Sequence, residues 1–339
     1  MAHQITDTDN LFSVREMPWH GLGVVLDGYP TRTEAQQIAL PWEPISEPVY
    51  RREVGFDADG QPTVEFVEIE GSKEVRRTDN GAGLGVVNDT YEPVSNTELF
   101  DIAEAVQGEA SDVRFETAGS LDGGRKVWVL LRLDEPIQVP GDPNGATIAF
   151  YALQNSHNGT GSLRGQGVNT RIVCANTSTW ADMEAQRSGH EFTFRHSKNV
   201  KDRIEDAKQA LAGWRTSVNE WLTVQEHLVS VKVTRDQQEA FIEAFVPMPA
   251  AQIVSKRVQT NVANVRSTLW DILGSETSEG VDKTAYGLVQ AAVEYAQHYR
   301  RTQSSSAQGH AENRFSRAML DRSELTRQAV RIVRQVAAV

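Results

Sequence analysis

The chain is expected to be an α+β protein, an antiparallel sheet with packed helices followed by a mainly helical C-terminal region. Two observations carry this. Up to residue 196, short β-branched and aromatic runs alternate with Gly, Asn and Asp turns and one capped helix. From residue 197 the apolar spacing changes to fours and threes, the period of helices packed along a seam. The expected division is an α+β domain over 1–196 and a helical region over 197–339.

Taken in order, Pro18, Pro30, Pro41, Pro44 and Pro48 make the first fifty residues loop-rich, with room for a short helix at 33–40. Residues 62–69 read as extended chain. Val64 and Phe66 lie in one phase and Val67 and Ile69 in the other, which predicts a bulge or an edge strand. Ser95-Asn96-Thr97-Glu98 is a capping box, in which serine and glutamate side chains each satisfy an orphaned amide at a helix start. Leu99, Ile102, Ala103 and Val106 then give that helix one apolar face. Strands at 113–118 and 126–133, joined through Asp122-Gly123-Gly124, make a β-hairpin, and 147–154 and 169–175 supply two more strands.

Val200, Ile204, Ala207, Leu211, Trp214, Val218 and Trp221 are spaced for one long amphipathic helix. Its seam is expected to pack within its own chain, the alternative being self-association of two copies through the 200–221 helix. Thr234-Arg235-Asp236-Gln237 opens a further helix that Pro247 and Pro249 close, and helices fit 251–273 and 284–301. Gln303-Ser304-Ser305-Ser306-Ala307-Gln308-Gly309 reads as a flexible link. A basic amphipathic helix from residue 314 onward carries Arg327, Arg331 and Arg334 along one side.

Composition narrows the function classes. No apolar run approaches the roughly 18 residues of a membrane span, and the first residues lack the basic and apolar regions of a signal peptide. A cytoplasmic protein without membrane partners is expected, in the host cytoplasm if a phage encodes it. The single cysteine, Cys174, excludes an internal disulfide framework and a cysteine zinc cage. No histidine pair has helical metal-ligand spacing, so neither a metal nor a cofactor is expected. Net charge is −12, unevenly spread: residues 1–150 hold 27 Asp/Glu against 11 Lys/Arg, and residues 151–339 hold 19 against 23. A mildly basic second half suits a polyanion partner.

The richest polar segment is Gln154-Asn155-Ser156-His157-Asn158-Gly159-Thr160-Gly161-Ser162-Leu163-Arg164-Gly165, leading into Thr170-Arg171. Ser156, His157, Asn158 and Thr160 offer hydrogen-bonding groups, and Arg164 and Arg171 offer charge, a set that suits an anion or a nucleotide backbone. Arg195, Lys198 and Lys201, with Arg203 close behind and Phe192, Phe194 and His196 beside them, form the best basic and aromatic cluster in the chain. The glycines of Gly81-Ala82-Gly83-Leu84-Gly85 and Gly159-Thr160-Gly161 lack the strand-to-helix context of a phosphate loop and are read as turn residues.

Several motifs in fixed order carry a resemblance: Met17-Pro18-Trp19-His20-Gly21-Leu22-Gly23, Tyr91-Glu92-Pro93-Val94-Ser95-Asn96, Asn155-Ser156-His157-Asn158-Gly159, Arg171-Ile172-Val173-Cys174-Ala175-Asn176-Thr177 and Thr284-Ala285-Tyr286-Gly287. In these the chain resembles the phage/plasmid-like family known as domain of unknown function 932. Asn158 stands where an aspartate is expected in relatives, which weakens any acid/base role there. The resemblance implies a phage or mobile-element setting and no established activity. The order of elements is also loosely similar to single-strand annealing proteins, an analogy of fold alone. The leading expectation is non-enzymatic binding of single-stranded DNA, as in annealing or recombination. One alternative is an enzyme acting on a nucleotide or phosphoester, with His157 as general acid/base. A second is a protein-interaction or counter-defence factor whose acidic first half meets a basic host partner.

Overall fold

The strongest strand signal in the sequence builds the centre of the molecule. The computed structural model describes residues 6–14, 23–108, 112–171, 173, 176–179, 191–211, 214–250, 255–300 and 324–337. Within it β7 (Lys126–Leu133) points Val127, Val129, Leu131 and Leu133 into the main core, and Trp128 and Leu130 are buried in separate clusters. A strand covered on both faces needs apolar residues in both phases, which is why this run is nearly continuous. Its antiparallel neighbours are β6 (Val113–Leu121) and β9 (Ala146–Ser156). The sheet extends through β10 (Leu163–Arg171) to β11 (Asn176–Thr179) at one end and through β1 (Leu11–Val14) to β2 (Val24–Leu26) at the other. β8 (Ile137–Gln138) and β12 (Phe192–Phe194) join β9 and β10. Among the described strands the expected antiparallel pairing holds except between β1 and β2, which are parallel.

A second sheet has the order β3 (Pro44–Phe56), β4 (Pro62–Arg77), β5 (Gly83–Asn88). The loop expected near residue 50 is therefore a strand: Pro44 and Pro48 sit on β3, an edge strand whose outer amides have no ladder to lose. The change of phase in 62–69 is met by a register break, where β4 residues 69–72 lie opposite the single β3 residue Val49.

Helix α1 (Arg32–Ala39) is capped by Thr31 and Glu34, and α2 (Asn96–Gln107) by Ser95 and Glu98 in the expected box. Leu99, Ile102, Ala103 and Val106 of α2 are buried. The long helix expected from residue 197 is instead two, α3 (Val200–Leu211) and α4 (Trp214–Ser230), with 212–213 outside the described residues. Val200, Ile204, Trp214, Val218 and Trp221 are all buried in their own chain, Trp214 edge-on to Tyr151 at 5.7 Å. These five described seam residues thus pack within their own chain.

α5 (Arg235–Phe245) has the expected Thr234–Gln237 box, and α6 (Lys256–Leu273) starts later than expected, 251–254 lying outside the described residues. α7 (Ala285–Glu294) is buried on every side, as an apolar helix must be, with α4, α6 and α8 (Glu324–Ala337) against it. One hydrophobic cluster runs from Phe12 in β1 to Val333 in α8, joining the sheet to the helical region. The architecture is α+β, and no described helix is long and apolar enough to cross a membrane. The motif at 17–22, Cys174 and the link at 303–309 lie outside the described residues.

Gly287 explains one motif. A Cβ there would lie 2.0 Å from the Val281 carbonyl oxygen, while its amide donates to the Thr284 hydroxyl at 3.0 Å and so caps α7. Gly287→Ala must push the helix off that backbone, and a loss of about 1–3 kcal/mol is expected, read as a lower urea midpoint. An unchanged midpoint would show that the approach is not needed.

Candidate functional site

The polar segment becomes a short turn. β9 ends at Ser156 and β10 begins at Leu163, six residues earlier than the expected strand at 169. Gly165 and Gly167 hide this strand from propensity, yet Gly165 is required because a Cβ there would meet Phe192 at 2.4 Å. The turn lies on β5, where a Cβ on Gly85 would sit 2.9 Å from Asn158 Cα. Asn158 closes the turn on itself: its Oδ1 accepts from the Ser156 hydroxyl at 2.7 Å, the Thr160 amide at 3.0 Å and the Thr160 hydroxyl at 2.6 Å. The polar groups that look available in the sequence are thus largely spent on each other.

His157 points inward and is fully buried. Its amide donates to the Arg125 carbonyl at 2.8 Å, its Nε2 lies 3.1 Å from Asn96 Oδ1, and its ring meets Trp42 edge-on at 5.6 Å. Asn96 Nδ2 donates to the Trp42 carbonyl at 2.7 Å, which turns Oδ1 to the imidazole and makes Nε2 the protonated nitrogen. Nδ1 is buried without a hydrogen-bond partner. Burial, reinforced by nearby His196, pushes the pKa of His157 down to about 3. His196 is also lowered by burial, which its bond to the Glu92 carbonyl at 3.1 Å opposes. Its ring stacks on Tyr91 at 4.6 Å, and the Tyr91 hydroxyl donates to the Ser156 carbonyl at 2.9 Å.

These contacts tie the start of α2, the β9–β10 turn and the segment before α3 into one buried polar knot. Sequence reasoning found Ser156 and His157 but not their partners. Asn96 looked like part of a helix cap, and nothing in the spacing of Trp42, Tyr91 and His196 signals that they converge.

Arg171 is elsewhere. It is 2% exposed and pairs bidentately with Asp142, Nε to Oδ2 at 2.8 Å and Nη2 to Oδ1 at 2.9 Å, while Nη1 donates to the Thr277 carbonyl and the guanidinium lies 5.9 Å from the Tyr286 ring. It fastens the end of β10 to the helical region, and its charge is already balanced.

The other cations face outward. Register sets Arg164 opposite Thr193 of β12, with Arg195 two residues along on that strand's continuation. Arg164 is half-buried, Arg195 and Lys198 are exposed, and none has an ion-pair partner among the described residues. Lys201 lies 3.9 Å from both Glu92 and Glu98. Arg203 stacks over Phe194 at 4.3 Å, and Phe194 stacks on Phe192 at 4.7 Å. The nine residues singled out in the sequence therefore fall into four places: the self-closed turn, the buried knot that holds His157, the buried Arg171–Asp142 pair and a cationic corner. Among the described residues no three His, Cys, Asp or Glu side chains are grouped as metal ligands.

A family model described as Domain of unknown function (DUF932) matches residues 83–320. The chain belongs to the DUF932 family. The match takes in the turn, the Arg171 pair and the cationic corner, and leaves out the whole of β3 and β4. No curated protein and no solved structure matches the chain. The segments 91–96 and 155–159 both lie within the matched residues and meet in the buried knot.

Proposed function

We propose that this DUF932 protein binds single-stranded nucleic acid without catalysing a reaction, in DNA transactions of a phage or plasmid. The contact is the corner where β10, β12 and the start of α3 meet. The observation that carries the reading is that Arg164, Arg195 and Lys198 have no carboxylate within ion-pair distance among the described residues, in a chain whose net charge is −12. Unneutralised cations are what contact with a phosphate backbone requires. The buried knot then has a positioning role, holding the turn and the segment before α3 in place. A general acid/base role for His157 finds no support, because a sealed ring kept neutral by burial cannot exchange protons with a substrate outside.

Fluorescence anisotropy with a single-stranded oligonucleotide tests this. Three phosphate contacts give a log–log salt slope of about −2, so affinity should fall about 20-fold from about 50 mM to 200 mM salt. The pair Arg195→Glu and Lys198→Glu should abolish binding with the fold intact. Salt-independent binding, or an unaffected double variant, removes the proposal.

A further inference from the structure

β3 and β4 continue beyond the small sheet as a two-stranded arm. β5 pairs with β4 only from Ser72 to Arg76, so Tyr50 to Phe56 and Pro62 to Glu68 pair with each other alone and keep open outer edges. Register sets Tyr50, Arg52, Val54 and Phe56 opposite Glu68, Phe66, Val64 and Pro62, and opposed residues share a face. Six of these eight are apolar. The other face carries Arg51, Glu53 and Gly55 opposite Val67, Glu65 and Thr63, four of the six charged or polar. The apolar face is uncovered, with exposure from 48% at Val64 to 67% at Phe66 and 74% at Phe56. On β3 it continues the side that begins with the buried Pro44, so a core-like face runs out past the core. An isolated hairpin is marginal in water, and a contiguous exposed apolar patch marks a contact surface.

We propose that a second copy of this chain docks here, arm against arm about a two-fold axis. Charge selects that occupant. Residues 50–70 hold six Asp/Glu and two Arg, which disfavours nucleic acid and anionic lipid. The two charged residues on the apolar face, Arg52 and Glu68, are opposite in sign, and neither has an ion-pair partner among the described residues of its own chain. A two-fold contact presents Arg52 of each copy to Glu68 of the other, the self-complementarity that an isologous interface demands. Area agrees: with aromatic side chains supplying 150–250 Å² each, one face exposes about 600 Å² of apolar surface, and two bury about 1,200 Å², the lower edge of a stable interface. The arm lies outside the family-matched residues, and the inference is independent of the nucleic-acid reading.

Light scattering on the purified chain tests it. The wild type is expected at twice the chain mass at micromolar concentrations. Phe56→Asp with Phe66→Asp should give a monomer whose circular dichroism is unchanged, since both rings are largely solvent-exposed. Arg52→Glu should weaken association by about tenfold, and adding Glu68→Arg should restore it. A monomeric wild type overturns the proposal and leaves the face to a partner of another kind. Aspartate variants that still dimerise, or a charge swap that does not recover, overturn it equally.

Discussion

Asp142→Ala is expected to destabilise the protein by about 3–5 kcal/mol, because it removes the bidentate counter-charge of the buried Arg171 guanidinium, which the Glu294 carboxylate offsets only in part. The carboxylate receives both guanidinium bonds and also the Asn144 amide at 3.0 Å, so its loss opens the 139–145 turn as well. Water cannot take its place without unpacking the end of β10 from Tyr286. Removing both charges should cost far less than removing one, since a well-packed apolar pair avoids the desolvation of two ions. Asp142→Leu with Arg171→Met is therefore expected to recover most of the loss. Urea unfolding followed by fluorescence reads this as a large drop in midpoint for the single variant and a small one for the double. A single variant that loses under about 1 kcal/mol would mean the pair is solvated and worth only what surface pairs are. The same experiment bears on function: if Arg171 contacted phosphate, freeing it from Asp142 would strengthen oligonucleotide binding in the folded protein, and no such gain is expected.

What was legible in the sequence is what depends on local chemistry. The capping boxes at Ser95 and Thr234 appear as read, because a hydroxyl and a side-chain carbonyl oxygen three residues apart bond to amides whatever lies around them. The β6–β7 hairpin and the apolar face of α2 were legible for the same reason. Errors arose where tertiary contact overrides local preference. Prolines suggested a loop where β3 tolerates them on an edge, and glycines hid the first half of β10, whose place is fixed by Phe192 and Tyr151 packing on its flat backbone. For the site, the sequence located the polar turn and the cationic corner but could not tell offered groups from spent ones. Asn158, Arg171 and Arg195 look equally available in one dimension. Only the fold assigns the first to its own turn and the second to Asp142.

Acid should unfold this protein partly through His157, and the sign follows from its burial. Its folded pKa, near 3, lies below the ordinary 6.5, so the unfolded chain takes up a proton that the folded chain refuses. The stabilisation is complete above pH 6.5 and is lost as pH falls from there toward the folded value. At 1.36 kcal/mol per unit, the loss between about pH 7.5 and about pH 4.5 is about 2–3 kcal/mol. His196, lowered in the same direction, adds to the slope. Carboxylates also titrate in this range, so the contribution of His157 is read by difference. Gln at position 157 can still donate to Asn96 Oδ1 but cannot take a second proton. His157→Gln should lower stability at neutral pH, through the lost edge contact with Trp42, and should have the flatter profile below pH 6.5. The gap between wild type and variant then narrows on acidification by about 2–3 kcal/mol. Parallel profiles would mean that protonated His157 finds an acceptor for Nδ1 that the folded structure does not provide. Because the knot around His157 also anchors the segment leading to Arg195 and Lys198, oligonucleotide binding should fail over the same pH interval as the fold.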